Sequence, residues 1–581
     1  QRMSTPHLLS RSCQSDQSSF ISSLWPFGEN NSHPIRDGKF VDSEFPPNDT
    51  SIGLTDKGYF SDKICWKRAT EIHPPNSSLF DAGIHPTDVV QGGLGDCWFL
   101  ASIACLAERP NLIKRIFKTQ TVNNEGKYVL HFYKDGISKD ITIDDFLPID
   151  QLTGEMYGVR TRSGQLWVAL LEKAFAKLHG SYQHLTSGEC HHALQDMTGY
   201  PAFLWNHPRD HPQFWEKLVN RLQNNAQMLT AAIDSKLQGH ETGRMYAKGL
   251  LCDHAYSVLG AKEHHSRNIR LVLIRNPWGK KIWNGDWSTD SNLWTPELKR
   301  YFNFSDHPHD GEFWMSHHEF RDLFDTFSVC DCRNDWKITR AASRFTLQPN
   351  HVDTPIIRVK VPNNCVLSYF GLHQTDKRVK GALPHIDLSA IILREPEMKA
   401  VSYVDSALAR WAQKKIDLGP GTYTVVPYSS GAHFLKGSDI CRPFMISSHA
   451  LSNHQTKPTI EVLRCDKRQS DAAFASLLSQ FVKSVPRHPH DPYVLKMLIS
   501  GALITLGLET TPAMVSSGRP IRVFIDPSKS ENLLQAVDSW QPLTPTSVEM
   551  PPENCMRILG KFIRKDHNGC KLGVHVGYQT L

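Results

Sequence analysis

The chain has 581 residues, of which 40% are apolar; that is room for three or four cores at about 150 residues each, in the ordinary globular range. Its 65 Lys and Arg against 59 Asp and Glu leave a net charge of +6, slight for the length and without a basic block, which argues against a nucleic-acid partner. The longest apolar run, Val494 to Leu508, contains Lys496 and is too short to span a bilayer. No secretory leader is visible, although a piece ahead of Gln1 could carry one. Thirteen cysteines, odd in number, scattered and without CxxC pairs, fit free thiols in a reducing compartment.

In chain order, residues 1–36 are rich in Ser, Asn and Pro without periodicity and are predicted disordered. A mixed α/β region follows. In "VVQGGLGDCWFLASIACL" (Val89 to Leu106) the glycines mark a tight turn, and Asp96 is placed to cap a helix. Trp98, Phe99, Ile103 and Leu106 then recur at helical spacing. Cys97 falls in the first turn, where the helix dipole would favour a thiolate; a small core cysteine is the alternative reading. Tyr128 to Tyr133 and Asp140 to Ile143 read as a hairpin around Lys134-Asp135-Gly136. Trp167 to Leu178 reads as a helix stopped by Gly180. The pattern changes near Gly199, and Ile269 to Ile274 reads as a strand running into Arg275-Asn276-Pro277-Trp278-Gly279. From about 336 the texture is all-β: Ile357, Val359 and Val361 alternate with Arg358 and Lys360, and "GPGTYTVVP" (Gly419 to Pro427) is a turn and a strand, together suggesting a β-sandwich. After about 466 Phe474, Leu477, Leu478, Phe481 and Val482 form one helical face.

A thiolate nucleophile needs a base, a group that orients the base, and donors for the oxyanion. "CDHAYSVLG" supplies His254, "IRNPWG" supplies Asn276, and Gln91 lies six residues before Cys97. The order of Cys, then His and Asn far downstream, is that of papain-like cysteine proteases. Each residue alone has a bland reading: a surface or core histidine, a turn Asn-Pro.

"QGGLGDCWFLASIA", "DHAYSVLGAK", "RNPWG", "DGEFWMS" (Asp310 to Ser316), "CWKRATEI" (Cys65 to Ile72) and "LWVALLEKAFAKLHG" (Leu166 to Gly180) resemble the calpains, intracellular calcium-regulated cysteine proteases. The resemblance is strong over about 40–335 and weaker over 336–465. It implies an α+β fold: a two-lobed papain-like core, lobe 1 at 37–199 with Cys97 and lobe 2 at 200–335 with His254 and Asn276. A β-sandwich domain at 336–465 follows, then a short helical segment at 466–581. Cys97 would be the nucleophile, His254 the base and then acid, and Asn276 its orienter. Gln91 and the Cys97 N–H would form the oxyanion hole, and Trp278 would shield the His–Asn bond. Asp253 stands where many calpains have glycine.

The resemblance also implies calcium as cofactor, at one site per lobe. Site one would use the carbonyls of Asp81 and Gly83 and the Asp88 side chain, with Gln165 where the family has an acid. Site two would use Asp310 and Glu312, but the other acids fall on Ile282 and Thr289, with Asp290 one place off. Weakened calcium binding is expected. The end of the chain from Glu553 weakly resembles part of a penta-EF-hand domain, with Asp566 its lone acid and Val576 where the closing Glu belongs; a remnant that does not bind calcium is expected. The resemblance implies a cytoplasmic endopeptidase acting on protein substrates, with possible peripheral membrane contact through the β-sandwich and no small-subunit partner. The rivals are a catalytically silent relative serving as scaffold or regulator, and transglutaminase-like acyl transfer.

Overall fold

The computed structural model describes residues 35–581 apart from 37, 54–62, 73–78, 81–82, 161–164, 206–211, 224–225, 234–244, 281, 305–310, 334, 348–351, 379–381, 430–440, 453–455, 465–466, 483–492, 501–502, 511–520, 527–532, 537–539, 542–545, 551–555, 565–574 and 581. The predicted disorder of the N-terminal segment therefore lies almost wholly outside the described residues. The chain divides into two compact units, residues 27–334 with 378–380, and the remainder.

In the first unit, helix α1 (Cys97–Ala107) is buried at every position from Trp98 to Ala107. A helix apolar all round must be enclosed on all sides. One side meets α2 (Trp167–His179), where Phe99 and Phe175 stack at 4.2 Å. Another side meets the sheet: the Ser257 hydroxyl donates to the Ala101 carbonyl at 2.8 Å, and the Cys105 thiol to the Leu229 carbonyl. A third helix, α3, spans Cys190–Thr198. The predicted hairpin is Lys127–Lys134 with Ile137–Asp144; Asp135 and Gly136 turn it with φ of 54° and 78°, the left-handed pair that matches strand twist.

The sheet has six antiparallel strands: β1 (Ala202–Leu204), β2 (Gln227–Ile233), β3 (His254–His264), β4 (Ile269–Arg275), β5 (Glu312–Ser316) and β6 (Thr326–Asp331), in the order β5-β4-β3-β2-β6-β1. Its core gathers Leu229, Tyr256, Val272, Ile274, Phe313 and Phe327.

In the second unit two five-stranded antiparallel sheets share one apolar cluster. One runs Val352–Asp353, Trp336–Leu347, Cys441–Ser452, Cys365–His373, Trp411–Leu418; the other runs Lys399–Ala407, Leu388–Arg394, Gly421–Tyr428, Pro355–Val361, Thr459–Arg464. The predicted apolar helix is present as Lys467–Phe481, with Phe474 and Leu477 packed against Ile391, Leu393, Val426 and Tyr428.

The remainder of 466–581 departs from the helical expectation. Strands follow Lys467–Phe481, beginning with the hairpin Tyr493–Ser500 and Leu503–Thr510. The long apolar run is thus two paired strands, and Lys496 is neutralised by Glu509 at 3.0 Å. Leu503–Thr510 also pairs with Met556–Arg564. The presumed EF-hand remnant is therefore flanked by strands, Met556–Arg564 and His575–Thr580, where an EF-hand needs helices; Val576 lies in the second strand and Asp566 outside the described residues. The cause is non-local: these short apolar runs take their conformation from partners distant in sequence, which periodicity does not reveal.

The nine described cysteines are all free. No described helix is long and apolar enough to cross a membrane.

Candidate active site

Antiparallel pairing brings the start of β3 to the end of β4, with Ser257 opposite Arg275. His254 opens β3 and Asn276 follows β4, so the two side chains meet: His254 Nε2 lies 2.8 Å from Asn276 Oδ1. The amide orientation is fixed twice over. Asn276 Nδ2 donates to the Lys280 carbonyl at 3.1 Å, and the Trp278 N–H donates to Oδ1 at 3.2 Å. Oδ1 can only accept, so His254 carries its proton on Nε2 and keeps Nδ1 as a lone-pair base. The Trp278 ring stands 5.1 Å from the imidazole, edge to face, and is 40% exposed.

Cys97 opens α1 and is half-buried. Its sulfur lies 3.9 Å from the carbonyl of Asp253, the residue before His254, so helix and sheet converge here. Asp253 has φ of +52°, a left-handed conformation that glycine adopts most cheaply and Asp tolerates. Burial pushes the Cys97 thiol up to about 11 and pulls His254 down to about 4, the latter opposed by the Asn276 hydrogen bond. This burial opposes the dipole-stabilised thiolate expected from sequence. Desolvation favours the neutral thiol and the neutral imidazole over their charged forms.

Gln91 lies in the glycine-rich loop, which is tied to the Asn276 turn: the Gln91 N–H donates to Pro277 O at 2.9 Å, and Arg275 Nη2 to Val89 O at 2.6 Å. Gln91 Nε2 donates to Leu94 O at 2.8 Å, which leaves one amide hydrogen for another acceptor. Asp96 does not cap α1 with its side chain; its backbone carbonyl accepts from Phe99 and Leu100 instead. Sequence reasoning missed Arg275 and Pro277 as ties of the loop, and Glu172, whose place beneath the loop depends on packing; no local pattern marks them.

Residues 40–331 match the profile described as calpain family cysteine protease. The chain belongs to the calpain family. It is 33% identical over 322 residues to the calpain-2 catalytic subunit of Rattus norvegicus, covering 52% of this chain and 45% of that protein. It is 34% identical over 310 residues to the calpain-type cysteine protease DEK1 of Arabidopsis thaliana, 51% of this chain and 14% of that one. With calpain-8 of Rattus norvegicus it shares 31% over 367 residues, 60% and 50%. The chain thus spans half or less of the length of these relatives.

Within this calpain core the positions expected to hold calcium are only partly assembled. Asp81 and Asp310 lie outside the described residues. At the first site Asp88 is buried in the short turn Pro86–Asp88, where Oδ2 accepts from His85 N at 3.0 Å and Trp167 Nε1 at 3.3 Å. Gln165 is also buried. Asp88, Gln165 and the Gly83 carbonyl would offer calcium oxygen donors with a single negative charge between them, where the ion favours several carboxylates. At the second site Glu312 and Thr289 line one small pocket with Leu273, Asn303 and Trp314. Ile282 packs on the apolar core of the sheet. An aliphatic side chain cannot ligate calcium, and the second site does not fit the ion. Among the described residues no group of three or more His, Cys, Asp or Glu side chains could hold a metal.

Proposed function

We propose that the chain is an active calpain-type cysteine endopeptidase with a two-lobed papain-like core, a β-sandwich domain behind it, and Cys97, His254 and Asn276 as its triad. The observation that carries this reading is the His254–Asn276 hydrogen bond, with its amide orientation fixed, on the turn bonded to the loop that leads into Cys97. His254 Nδ1 takes the Cys97 proton as the sulfur attacks a peptide carbonyl. Asn276 holds the imidazolium that forms, and the imidazolium then protonates the leaving amine. Water hydrolyses the thioester with His254 again as base. The carbonyl oxygen, now an anion, meets the Cys97 N–H and the spare hydrogen on Gln91 Nε2. Burial opposes a separated thiolate and imidazolium, so the proton transfer is coupled to the attack on the carbonyl.

Asp88, Gln165 and the Gly83 carbonyl would hold calcium, which would supply positive charge beside the Asp88 carboxylate. Its substrates are extended segments of proteins in a reducing, cytoplasmic compartment. Contact with membranes through the β-sandwich, and action without a small subunit, belong to the same reading.

The test is cleavage of casein by the full chain with and without calcium, beside Cys97→Ala. Cleavage that Cys97→Ala abolishes without unfolding the protein supports the reading. An inert wild type marks a silent scaffold, and amine incorporation without cleavage marks acyl transfer.

A further inference from the structure

Lys127–Lys134 and Ile137–Asp144 pair as a two-stranded sheet, and one of its faces carries chemistry that no step above uses. Only Asp135 and Gly136 separate Lys134 from Ile137, so those two residues flank the turn and exchange backbone hydrogen bonds. Counted back along the ladder, Tyr133–Ser138 and His131–Asp140 are the pairs without such bonds. Opposed side chains stand closest in those pairs, and the period of two puts all four residues on one face. His131 Nδ1 lies 2.6 Å from Asp140 Oδ1, and its Nε2 lies 3.2 Å from Ser138 Oγ. Asp140 also accepts from Lys118 through Oδ2, and the Tyr133 ring stands edge to face with His131 at 5.0 Å. Partial burial works against the charge on Asp140, but the hydrogen bonds from His131 and Lys118 prevail and hold its carboxyl below the ordinary range. An ionised carboxylate only accepts, so Nδ1 carries the imidazole proton and Nε2 offers its lone pair to the Ser138 hydroxyl. Carboxylate, Nδ1, Nε2 and hydroxyl thus follow one another in the order that makes a serine nucleophilic, a constellation recognised by geometry and not by sequence position. Ser138 is exposed, within reach of a small molecule.

We propose that Ser138, with His131 as its base and Asp140 orienting that base, is a second nucleophile of this protein and takes acyl groups from activated esters, namely aryl esters and thioesters. Ser138 Oγ attacks the ester carbonyl while its proton passes to His131 Nε2. The bond from the acyl carbon to the phenol oxygen or thiol sulfur breaks, and the phenol or thiol departs with that proton. The acyl group is left as an ester on Ser138. Water attacks that ester with Nε2 again as base, which releases the carboxylic acid and restores the hydroxyl. The register turns the Ser138 N–H away from the partner strand, and it is the donor offered to the oxyanion. A single donor in a hydrated site stabilises the oxyanion little, so a good leaving group is required and peptide bonds are left uncut. The reaction is separate from Cys97 and does not rest on the protease reading.

The test follows the full chain by peptide mass mapping after incubation with p-nitrophenyl acetate. A second sample receives an alkyl fluorophosphonate, whose phosphorus bonds to Oγ as fluoride leaves with the proton and whose adduct does not turn over. Ser138 should be the serine modified fastest by both reagents; labelling of Cys97 maps to its own peptide and is counted apart. His131→Ala should slow modification of Ser138 by about 10²-fold, the loss of a general base. Asp140→Asn should slow it too while leaving the unfolding midpoint in place, because an exposed ion pair adds little stability; a group that only braces the hairpin would not change the rate. The proposal is overturned if Ser138 reacts no faster than other exposed serines, or if the label sits on a nitrogen of His131 or Lys118 in place of Ser138 Oγ. It is overturned equally if a folded His131→Ala protein modifies Ser138 at the wild-type rate.

Discussion

Gln91 and Trp278 act at the scale of single residues, and each carries its own test. Gln91 holds its amide with a hydrogen bond to Leu94 O and points no formal charge at the substrate. Its contribution is confined to the transition state, so Gln91→Ala should lower kcat by about 10²–10³ and change KM much less. A change in KM alone would make it a substrate-binding group. Trp278 helps keep water from an imidazole that burial has already pulled down to about 4. The base is lost when His254 is protonated, so the acid limb of kcat/KM should lie low in the wild type. Trp278→Ala should move it up toward 6.5, because hydration favours the imidazolium. An unmoved limb would mean that the indole does not shield the histidine. The same depressed value makes the fold acid-sensitive: the unfolded chain binds the extra proton, and stability contributed by neutral His254 is lost as pH falls from about 6.5 through about 4.

Elements set these side chains by register and by a few backbone positions. Gly249, with φ of +81°, lies just before β3, and a Cβ there would come 1.5 Å from the Ile282 carbonyl. Gly249→Ala should cost about 1–3 kcal/mol in denaturant unfolding, since strained backbone and overlap with a backbone atom must both be relieved. Asp253 has φ of +52° but no such requirement. Asp253→Gly should stay within about 1 kcal/mol of the wild type and leave activity in place. A large loss there would show that the aspartate side chain does chemistry. Elements were legible in the sequence where their signal is local. The helix predicted over Trp167 to Leu178 is Trp167–His179, and the strand predicted over Ile269 to Ile274 is Ile269–Arg275. The tail was not legible beyond its one helix, because Tyr493–Ser500, Leu503–Thr510 and Met556–Arg564 form a sheet through contacts far apart in sequence.

At the scale of the whole molecule, calcium is the question. The loop that leads into Cys97 and the turn after β4 are joined by bonds the chain makes itself, Gln91 N–H to Pro277 O and Arg275 to Val89 O. The first expected site offers one carboxylate, Asp88, and at the second Ile282 packs against the apolar core of the sheet. A ligand shifts a two-state equilibrium only by its differential affinity, and fewer carboxylates mean less of it. Calcium titration of casein cleavage by the full chain should therefore give a shallow, single-site response. Asp88→Ala should abolish the response, and Glu312→Gln should leave it unchanged. A steep two-site response that survives Asp88→Ala would show that the ligands lie elsewhere.

The sequence by itself determined the family, the order of Cys97, His254 and Asn276, and the helix that begins at the cysteine. These rest on short motifs and on 3.6-residue periodicity, both properties of neighbouring residues. Tertiary structure alone decided that burial favours the neutral thiol and the neutral imidazole, because that depends on how much water the surrounding packing removes. It decided that the Asp96 side chain does not cap the helix that follows it, that Ile282 packs against the apolar core of the sheet, and that strands follow the one described helix of the tail. Each of these depends on contacts between residues far apart in the chain, and desolvation and strand pairing are set by those contacts and by nothing local.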